Sequence, residues 1–191
     1  LHVNTRDRLR ALTLKQTDDP ARFGWPELGE GLALDLEAEW FPKLFDLRDD
    51  YLVLRGSAAY TAGLGPLGVG VRVGGQTTRG EAPYYDLAMV GERQVRGLSS
   101  DRFAGSSSLY GNLVAVKPVG RFRVVVPGHW GLLATAGTGR VFVGEEDSER
   151  WHWGAGGGVW WTPWDFATAV RLTLTRSDEG TRLYLRLGFD F

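Results

Sequence analysis

Apolar and polar residues alternate along the chain from Leu32 to the last residue, and this period of two predicts β-strands. The clearest run is 181–191, where one parity is wholly apolar and the other carries charged, polar or glycine residues. The apolar parity consists of Leu183, Leu185, Leu187, Phe189 and Phe191, and the other of Tyr184, Arg186, Gly188 and Asp190. Each strand of this kind has two faces of opposite polarity, which must meet different environments.

Eight such runs are present, and each has about the 9–11 residues that a tilted membrane strand needs. They cover residues 31–41, 51–62, 67–77, 107–118, 129–143, 151–161, 165–176 and 181–191. One set of connections is short and lies at 63–66, 118–127 and 162–165. The other set is longer and lies at 43–50, 78–106, 144–150 and 177–180. Short periplasmic turns and longer external loops are typical of outer-membrane barrels.

Residues 31–191 therefore form one predicted barrel domain with a long external loop at 78–106. Residues 1–30 are a lead-in or contain an extra strand, for which 9–17 is the candidate. Because bacterial barrels have an even number of strands, eight strands are favoured. Ten strands, with 1–17 folded as a hairpin, is the alternative.

The composition leaves two classes of protein, a soluble all-β domain and a membrane barrel. The chain has 27 Gly and 8 Trp, and no apolar run reaches the roughly 20 residues of a spanning helix. A soluble all-β domain and a membrane barrel both place glycine where strands bend or approach closely. Only the membrane barrel also requires a belt of Trp and Tyr at each interface.

Three features favour the membrane barrel over a soluble one. Aromatic residues lie at predicted strand ends, the polar parity is rich in small residues, and the chain stops on Phe191 in strand register. The aromatics are Trp40, Phe41, Tyr60, Trp130, Phe142, Trp151, Trp153, Trp160, Trp161, Trp164, Phe189 and Phe191. The small residues are Gly68, Gly70, Gly154, Gly156, Gly158, Ala167 and Ala169. The predicted fold is an all-β transmembrane antiparallel up-and-down barrel in the outer membrane of a Gram-negative-type bacterium.

In that fold the polar parity faces a narrow lumen, which eight strands make only wide enough for side chains. The predicted lumen charges are Asp35, Glu37, Glu39, Arg55, Arg72, Arg171, Arg186 and Asp190. Four acids face four bases, and an unpaired buried charge is costly, so we expect a closed internal network. Such a network argues against an open aqueous pore.

The sequence offers little support for a metal-binding, nucleic-acid-binding or catalytic site. The chain has no cysteine, and its three histidines, His2, His129 and His152, lack metal-binding spacing. His152 has lumen parity, but its place between Trp151 and Trp153 favours an interface position. A net charge of −1 gives no basic patch for nucleic acid. We expect no catalytic residues, metal or cofactor and predict that the protein is not an enzyme.

A set of motifs resembles the BamA/TamA superfamily, the bacterial surface antigen family of outer-membrane barrels. Val95-Arg96-Gly97-Leu98 in the long loop resembles the family's V-R-G-F motif. Pro83-Tyr84-Tyr85 precedes it at the family's P-F-Y position, and Trp160-Trp161-Thr162-Pro163 resembles the W-x-T-P turn. Residues 185–191 resemble the terminal strand, which carries the outer-membrane assembly signal through Leu185, Leu187, Phe189 and Phe191. The resemblance spans roughly 31–191 and corresponds to the second half of a sixteen-stranded barrel.

The resemblance implies that the long loop folds into the lumen with Arg96 as its anchor. In the family this arginine contacts acidic residues on the two following lumen strands, but here those positions hold Val114 and Thr135, or Gly137 in place of Thr135 if the register is shifted. Asp35, Glu37 or Glu39 are then the alternative partners for Arg96.

Two functions follow as expectations. The first is a small barrel related to outer-membrane-protein assembly and translocation factors, which assists membrane-protein insertion. The alternative is a structural or adhesive barrel without that activity, or half of an oligomeric pore. The expected partners are the lipid bilayer, the assembly machinery acting through the C-terminal strand, and a second copy in a homodimer.

Overall fold

The computed structural model describes residues 8–11, 31–41, 50–100, 102–122, 127–143, 150–163 and 169–187. Most of these residues form strands, and the segment 81–102 also contains turns and one single-turn 3-10 helix at Tyr84–Asp86. The strands are β1 Arg8–Ala11, β2 Gly31–Phe41, β3 Tyr51–Leu64, β4 Leu67–Gly80, β5 Ala88–Val90, β6 Phe103–Gly105, β7 Ser107–Phe122, β8 Gly128–Phe142, β9 His152–Pro163, β10 Val170–Ser177 and β11 Gly180–Leu187. The all-β prediction is confirmed. Among the described residues, no helix has the length and hydropathy needed to cross a bilayer.

The main sheet has the order β1-β2-β3-β4-β7-β8-β9-β10-β11, and every neighbouring pair is antiparallel. Its eight long strands correspond to the eight predicted runs, so the up-and-down order is confirmed. The short strand β1 pairs with β2, from Arg8 opposite Glu39 to Ala11 opposite Leu36. Within the described residues no ladder joins β11 to β1 or β2, so the predicted closure into a barrel is not observed there.

Two connections differ from the sequence prediction. The turn between β10 and β11 contains only Asp178 and Glu179, because Ser177 pairs with Gly180. Its assignment to the longer connections was therefore wrong. Strand β7 also continues past Pro118 to Phe122, through a register shift between Pro118 and Gly120. Proline has no N–H for the ladder, and a bulge lets the pairing continue beyond it.

On β10 and β11 one parity carries polar side chains that are buried or half-buried, and the other carries leucines that are exposed. On β10, Arg171, Thr173, Thr175 and Ser177 are at most 5 % exposed, whereas Leu172 and Leu174 are 42 % and 55 % exposed. On the neighbouring strand β11, Leu183, Leu185 and Leu187 are 65–72 % exposed. We call the polar-parity side of the sheet the inner face and the apolar-parity side the outer face.

The segment between β4 and β7, described at residues 81–100 and 102–106, packs on the inner face, and we call it the inner loop. Strands β5 and β6 form a hairpin within it, with Ala88 opposite Gly105 and Val90 opposite Phe103. Further along the inner face, a small apolar cluster joins Val114, Val116, Leu133 and Trp160. Trp160 is 2 % exposed in that cluster, so its predicted place in an interfacial belt was wrong.

Candidate functional site

The interface between the inner loop and the sheet is the candidate functional site. Its apolar centre consists of Val90, Val95 and Leu98 from the loop and Val141 from β8, with Phe103 and Tyr110 packed against it. Val90, Val95 and Leu98 are fully buried. Burying such side chains stabilises the docked loop by about 1.5–3 kcal/mol each. The loop is therefore held as part of the packed structure.

Two glycines of the inner face make this close approach possible. A Cβ added at Gly154 would lie 1.8 Å from the backbone oxygen of Arg96. A Cβ added at Gly139 would lie 2.9 Å from Val90 and 3.0 Å from Val95. The small residues on the polar parity thus leave the space that the loop backbone occupies.

The Val95–Leu98 motif lies at the centre of this interface. Gly97 has a φ of +101°, a conformation that favours glycine, and its N–H donates to the hydroxyl of Tyr184 at 3.2 Å. The hydroxyl of Ser177 donates to the Gly97 carbonyl at 2.7 Å. The backbone of the motif is therefore bound by β10 and β11.

A charged cluster fastens the loop to the turn between β10 and β11. The N–H and hydroxyl of Ser99 donate to Glu179 Oε2 at 2.8 and 2.6 Å, and Arg102 Nε donates to Oε1 at 2.9 Å. Arg182 donates to both Ser99 Oγ and Glu179 Oε2, at 2.8 and 3.2 Å. The hydrogen bonds from Ser99 and Arg102 hold the pKa of Glu179 below its usual value. We call Ser99, Arg102, Glu179 and Arg182 the latch.

The opposite side of the loop is held by β3 and β4. Tyr51 donates to the carboxylate of Asp86 at 2.7 Å, and Thr78 donates to the Asp86 carbonyl at 2.9 Å. The amide of Gln76 donates to the carbonyls of Asp86 and Leu87 at 3.1 and 3.2 Å. The loop therefore bridges the inner face from β3 to β11.

The predicted lumen charges that the structure describes lie on the inner face in separate groups. Arg55 pairs with Glu39 at 2.8 Å and with Glu37 at 3.5 Å. Arg72 donates to Ser57 at 3.3 Å and lies 5.7 Å from the ring centre of Tyr110.

The remaining predicted charges are more scattered. Asp35 is exposed and Arg171 is 2 % exposed. Arg186 pairs with Glu92 of the inner loop, a partner that the predicted network did not contain. Asp190 lies outside the described residues.

In the part of the chain that the structure describes, two partly open cavities lie between the loop and the sheet. The first, of about 180 Å³, is polar and includes Asp35, Glu37, Arg55 and Arg72 in its lining. The second, of about 40 Å³, is lined by Arg96 together with Val114 and Thr135. Arg96 thus faces the two positions that the sequence resemblance assigned to its partners, while Asp35 and Glu37 line the other cavity.

The C-terminal residues of the predicted assembly signal lie on the outer face as far as the structure describes them. Leu185 and Leu187 are 72 % and 69 % exposed. Phe189 and Phe191 lie outside the described residues.

Sequence reasoning missed the latch and misplaced one histidine. Ser99, Arg102 and Glu179 are ordinary polar residues of loops, and only the docking of the inner loop brings them together. His152 is buried and stacks on Phe103 with ring centres 3.6 Å apart, so it does not lie at an outer interface. Its lumen parity was the signal that placed it correctly.

The motif at residues 160–163, which resembles the W-x-T-P turn, ends strand β9. Thr162 is 1 % exposed, and its hydroxyl bridges the backbone N–H and carbonyl of His129, each at 3.3 Å. This contact fixes the end of β9 to the start of β8.

Comparison with protein-family models, with curated proteins and with solved structures finds no match. In the part of the chain that the structure describes, no group of three or more His, Cys, Asp or Glu side chains forms a metal site.

Proposed function

We propose that this chain is a membrane-spanning β-sheet of an outer-membrane barrel, with its inner face on the lumen and its inner loop filling that lumen. The observation that supports it is the polarity of β10 and β11. The polar side chains on the inner face of these strands are buried or half-buried, and the leucines on their outer face are 42–72 % exposed. In water, so large an apolar surface favours aggregation, whereas hydrocarbon chains solvate it.

The outer face also exposes apolar side chains on the other long strands. Exposed apolar side chains of the outer face occur on every long strand, including Leu36 on β2, Val73 on β4 and Leu132 on β8. Exposed aromatics lie near strand ends at Trp40, Tyr60, Trp151 and Trp153. Aromatic side chains near the strand ends match the interfacial belts of membrane barrels.

For the activity of this barrel, we propose assistance to the insertion or translocation of other outer-membrane proteins, in the manner of the BamA/TamA superfamily. The support is that the Val95–Leu98 motif packs on the inner face of the sheet, where the resemblance places the loop. Arg96 also shares a cavity with Val114 and Thr135. The acidic partners of the family are replaced by Val114 and Thr135 at those two positions.

The test has two stages. The full chain is first folded into phospholipid vesicles, and protease protection of its strands is measured. Protected strands are expected, and complete digestion would overturn the membrane proposal. The folding rate of an eight-stranded client barrel is then measured in vesicles with and without the protein. Faster client folding is expected, and an unchanged rate in the presence of protected protein would overturn the insertase activity alone.

One observation favours a second candidate, half of an oligomeric barrel. The interior of an eight-stranded barrel is only wide enough for side chains. The inner face of this sheet carries the backbone of the inner loop, including the hairpin of β5 and β6. A lumen that holds this loop requires more strands than eight, and a second copy of the chain supplies them.

A further inference from the structure

Among the residues that the structure describes, every charged side chain on the outer face of the eight long strands is basic. These side chains belong to Arg79, Lys117, Arg140 and Arg176. The strand register places them on this face, because Lys117 lies opposite the exposed Leu132 and Arg140 lies opposite the exposed Leu109. The described carboxylates of the same strands lie on the inner face of β2, at Asp35, Glu37 and Glu39. The outer face therefore offers cations without carboxylates beside them on the strands.

These cations lie at the ends of the strands, above and below an uncharged band. Arg176 is the residue before the last pair of the β10–β11 ladder, and Arg79 is the residue before the end of β4. Lys117 lies at the opposite end of the sheet, one residue beyond the last pair of the β4–β7 ladder. Between these levels the outer-face residues of the described strands are uncharged. The exposed acidic residues at the rim, Asp50 and Glu81, lie in the connections outside the strands.

Aromatic side chains lie beside these cations on the outer face. Trp153 is 46 % exposed and lies two residues before Ala155, the β9 partner of Arg176. The guanidinium group of Arg140 lies 4.7 Å from the ring centre of Phe142. At a membrane surface, tryptophan rings contact the boundary of the acyl chains, while arginine and lysine extend their charged groups to the headgroups. The levels of the cations therefore match the two headgroup layers of a bilayer.

We propose that the outer face binds anionic phospholipids, with Arg79, Lys117 and Arg176 contacting the phosphate groups of their headgroups. This inference rests on the proposed membrane-spanning sheet and adds the class of lipid that surrounds it. A guanidinium group donates to phosphate oxygens in pairs, and an ammonium group attracts phosphate as a point charge. The whole chain has a net charge of −1, so the attraction comes from the placement of the cations and not from an excess of positive charge.

The test measures which lipid lies beside the outer face, with tryptophan fluorescence as the readout. The full chain is folded in phosphatidylcholine vesicles that contain, in equal proportion, either brominated phosphatidylcholine or brominated phosphatidylglycerol. Bromine atoms on the acyl chains quench nearby tryptophans, and Trp40 and Trp153 are exposed on the outer face. We expect stronger quenching by brominated phosphatidylglycerol at low salt. The excess is expected to shrink at high salt, because salt screens exposed charges.

A set of variants assigns the excess quenching to the cations. Arg176→Gln and Lys117→Gln are each expected to weaken the association of phosphatidylglycerol about fivefold at the altered position, the scale of one basic residue at an anionic membrane surface. Arg176→Lys keeps the charge and is expected to retain the excess quenching. Arg93→Gln removes an equal charge from an exposed position of the inner loop and is expected to behave like the unmodified chain.

The outcomes separate this inference from the membrane proposal, because protease protection of the strands is measured in the same vesicles. Digested strands without quenching by either brominated lipid overturn the membrane proposal and the lipid preference together. Protected strands that are quenched equally by the two lipids overturn the lipid preference alone. Equal effects of Arg176→Gln and Arg93→Gln also overturn it, because net charge would then explain the association.

Discussion

Gly154 sets how closely the inner loop approaches the sheet. Its missing side chain leaves room for the backbone oxygen of Arg96, and the Cβ of any other residue would overlap that oxygen. Because backbone atoms cannot rotate away as a flexible side chain can, the whole segment must shift. The docking of the loop therefore depends on the absence of a Cβ atom at this position of the inner face.

Replacement of Gly154 by alanine is expected to displace the loop and to lower the stability of the docked state by about 1–3 kcal/mol, the cost of overpacking. The measurement is limited proteolysis within residues 91–100, together with thermal unfolding in detergent. Gly157→Ala is the matched control, because its added Cβ would point to the outer face and lie 3.4 Å from the nearest atom. Equal cleavage rates for the two variants would contradict this account of the loop.

Glu179 gives the docked loop a dependence on pH. Its pKa is held below the usual value by hydrogen bonds from Ser99 and Arg102 when the loop is docked. A depressed pKa in the docked state means that the stabilisation is present above the usual glutamate pKa. It is lost as the pH falls through the lowered value.

We expect protease cleavage of the inner loop to rise several-fold as the pH is lowered from 7 to about 3.5, a pH that lies below the usual pKa of glutamate. An acid-stable protease keeps the measurement comparable across this range. Glu179→Gln removes the charge, so its loop is expected to be cleaved faster at neutral pH and to change less with pH. Glu81→Gln, at an exposed position near the end of β4, is the control. A pH profile of Glu179→Gln that matches the unmodified chain would exclude the latch as its source.

At the scale of elements, the strand pattern was predictable because each strand obeys a local rule. A period of two fixes which residues share a face, and the start of β2, β3, β4 and β7 coincides with the start of a predicted run. The end of β7 was not predictable in this way, because Pro118 normally ends a ladder and only the bulge after it restores the pairing.

The contacts of the candidate site were harder to predict from the sequence than the strands were. The Val95–Leu98 motif and the inner-face parity of Arg186 were visible in the sequence, but the partner of Arg186 is Glu92 in the loop. Likewise, Glu179 and Ser99 are 80 residues apart and meet only because the loop folds back over the sheet. Period and composition describe neighbours on one strand and contain no information about such distant contacts.

The outer face of β10 provides a prediction for an element as a whole. Leu174 lies in the middle of the β10–β11 ladder, opposite Leu183, whereas Thr181 lies beside the turn. If the outer face contacts lipid, the cost of a charge depends on its depth in the bilayer.

Leu174→Arg is expected to destabilise the vesicle-folded protein by about 2–4 kcal/mol, and Thr181→Arg by about 0–1 kcal/mol. The measurement is unfolding by denaturant in vesicles. In a purely soluble protein both exposed positions would accept arginine at little cost. Equal stabilities of the two variants would therefore argue against a membrane-embedded outer face.

At the scale of the whole molecule, the directions of the strands constrain how the sheet can close. The nine strands of the main sheet alternate in direction, so its edge strands β1 and β11 run the same way. Antiparallel closure, which outer-membrane barrels use, pairs β11 with β2 instead. Residues 31–35 of β2 have no partner on that side among the described residues, so this part of the edge can accept a strand.

Cysteine cross-linking distinguishes closure within one chain from closure between two, because the chain has no cysteine of its own. One variant carries a cysteine on β2, as Asp35→Cys, and the other carries one on β11, as Arg186→Cys. Both sites lie on the inner face. Further variants with the cysteine at neighbouring inner-face positions of each strand test the register between β2 and β11. The two variants are folded together in detergent and oxidised.

We expect disulfide-linked dimers that contain one chain of each variant, because the inner loop needs a lumen wider than eight strands provide. A chain that carries both cysteines would form a closed monomer only if β2 and β11 met within one molecule. Such a monomer, without mixed dimers, would mean that the loop leaves the inner face when the sheet closes. Cleavage of the loop would then increase on oxidation, whereas a two-chain barrel keeps the loop protected.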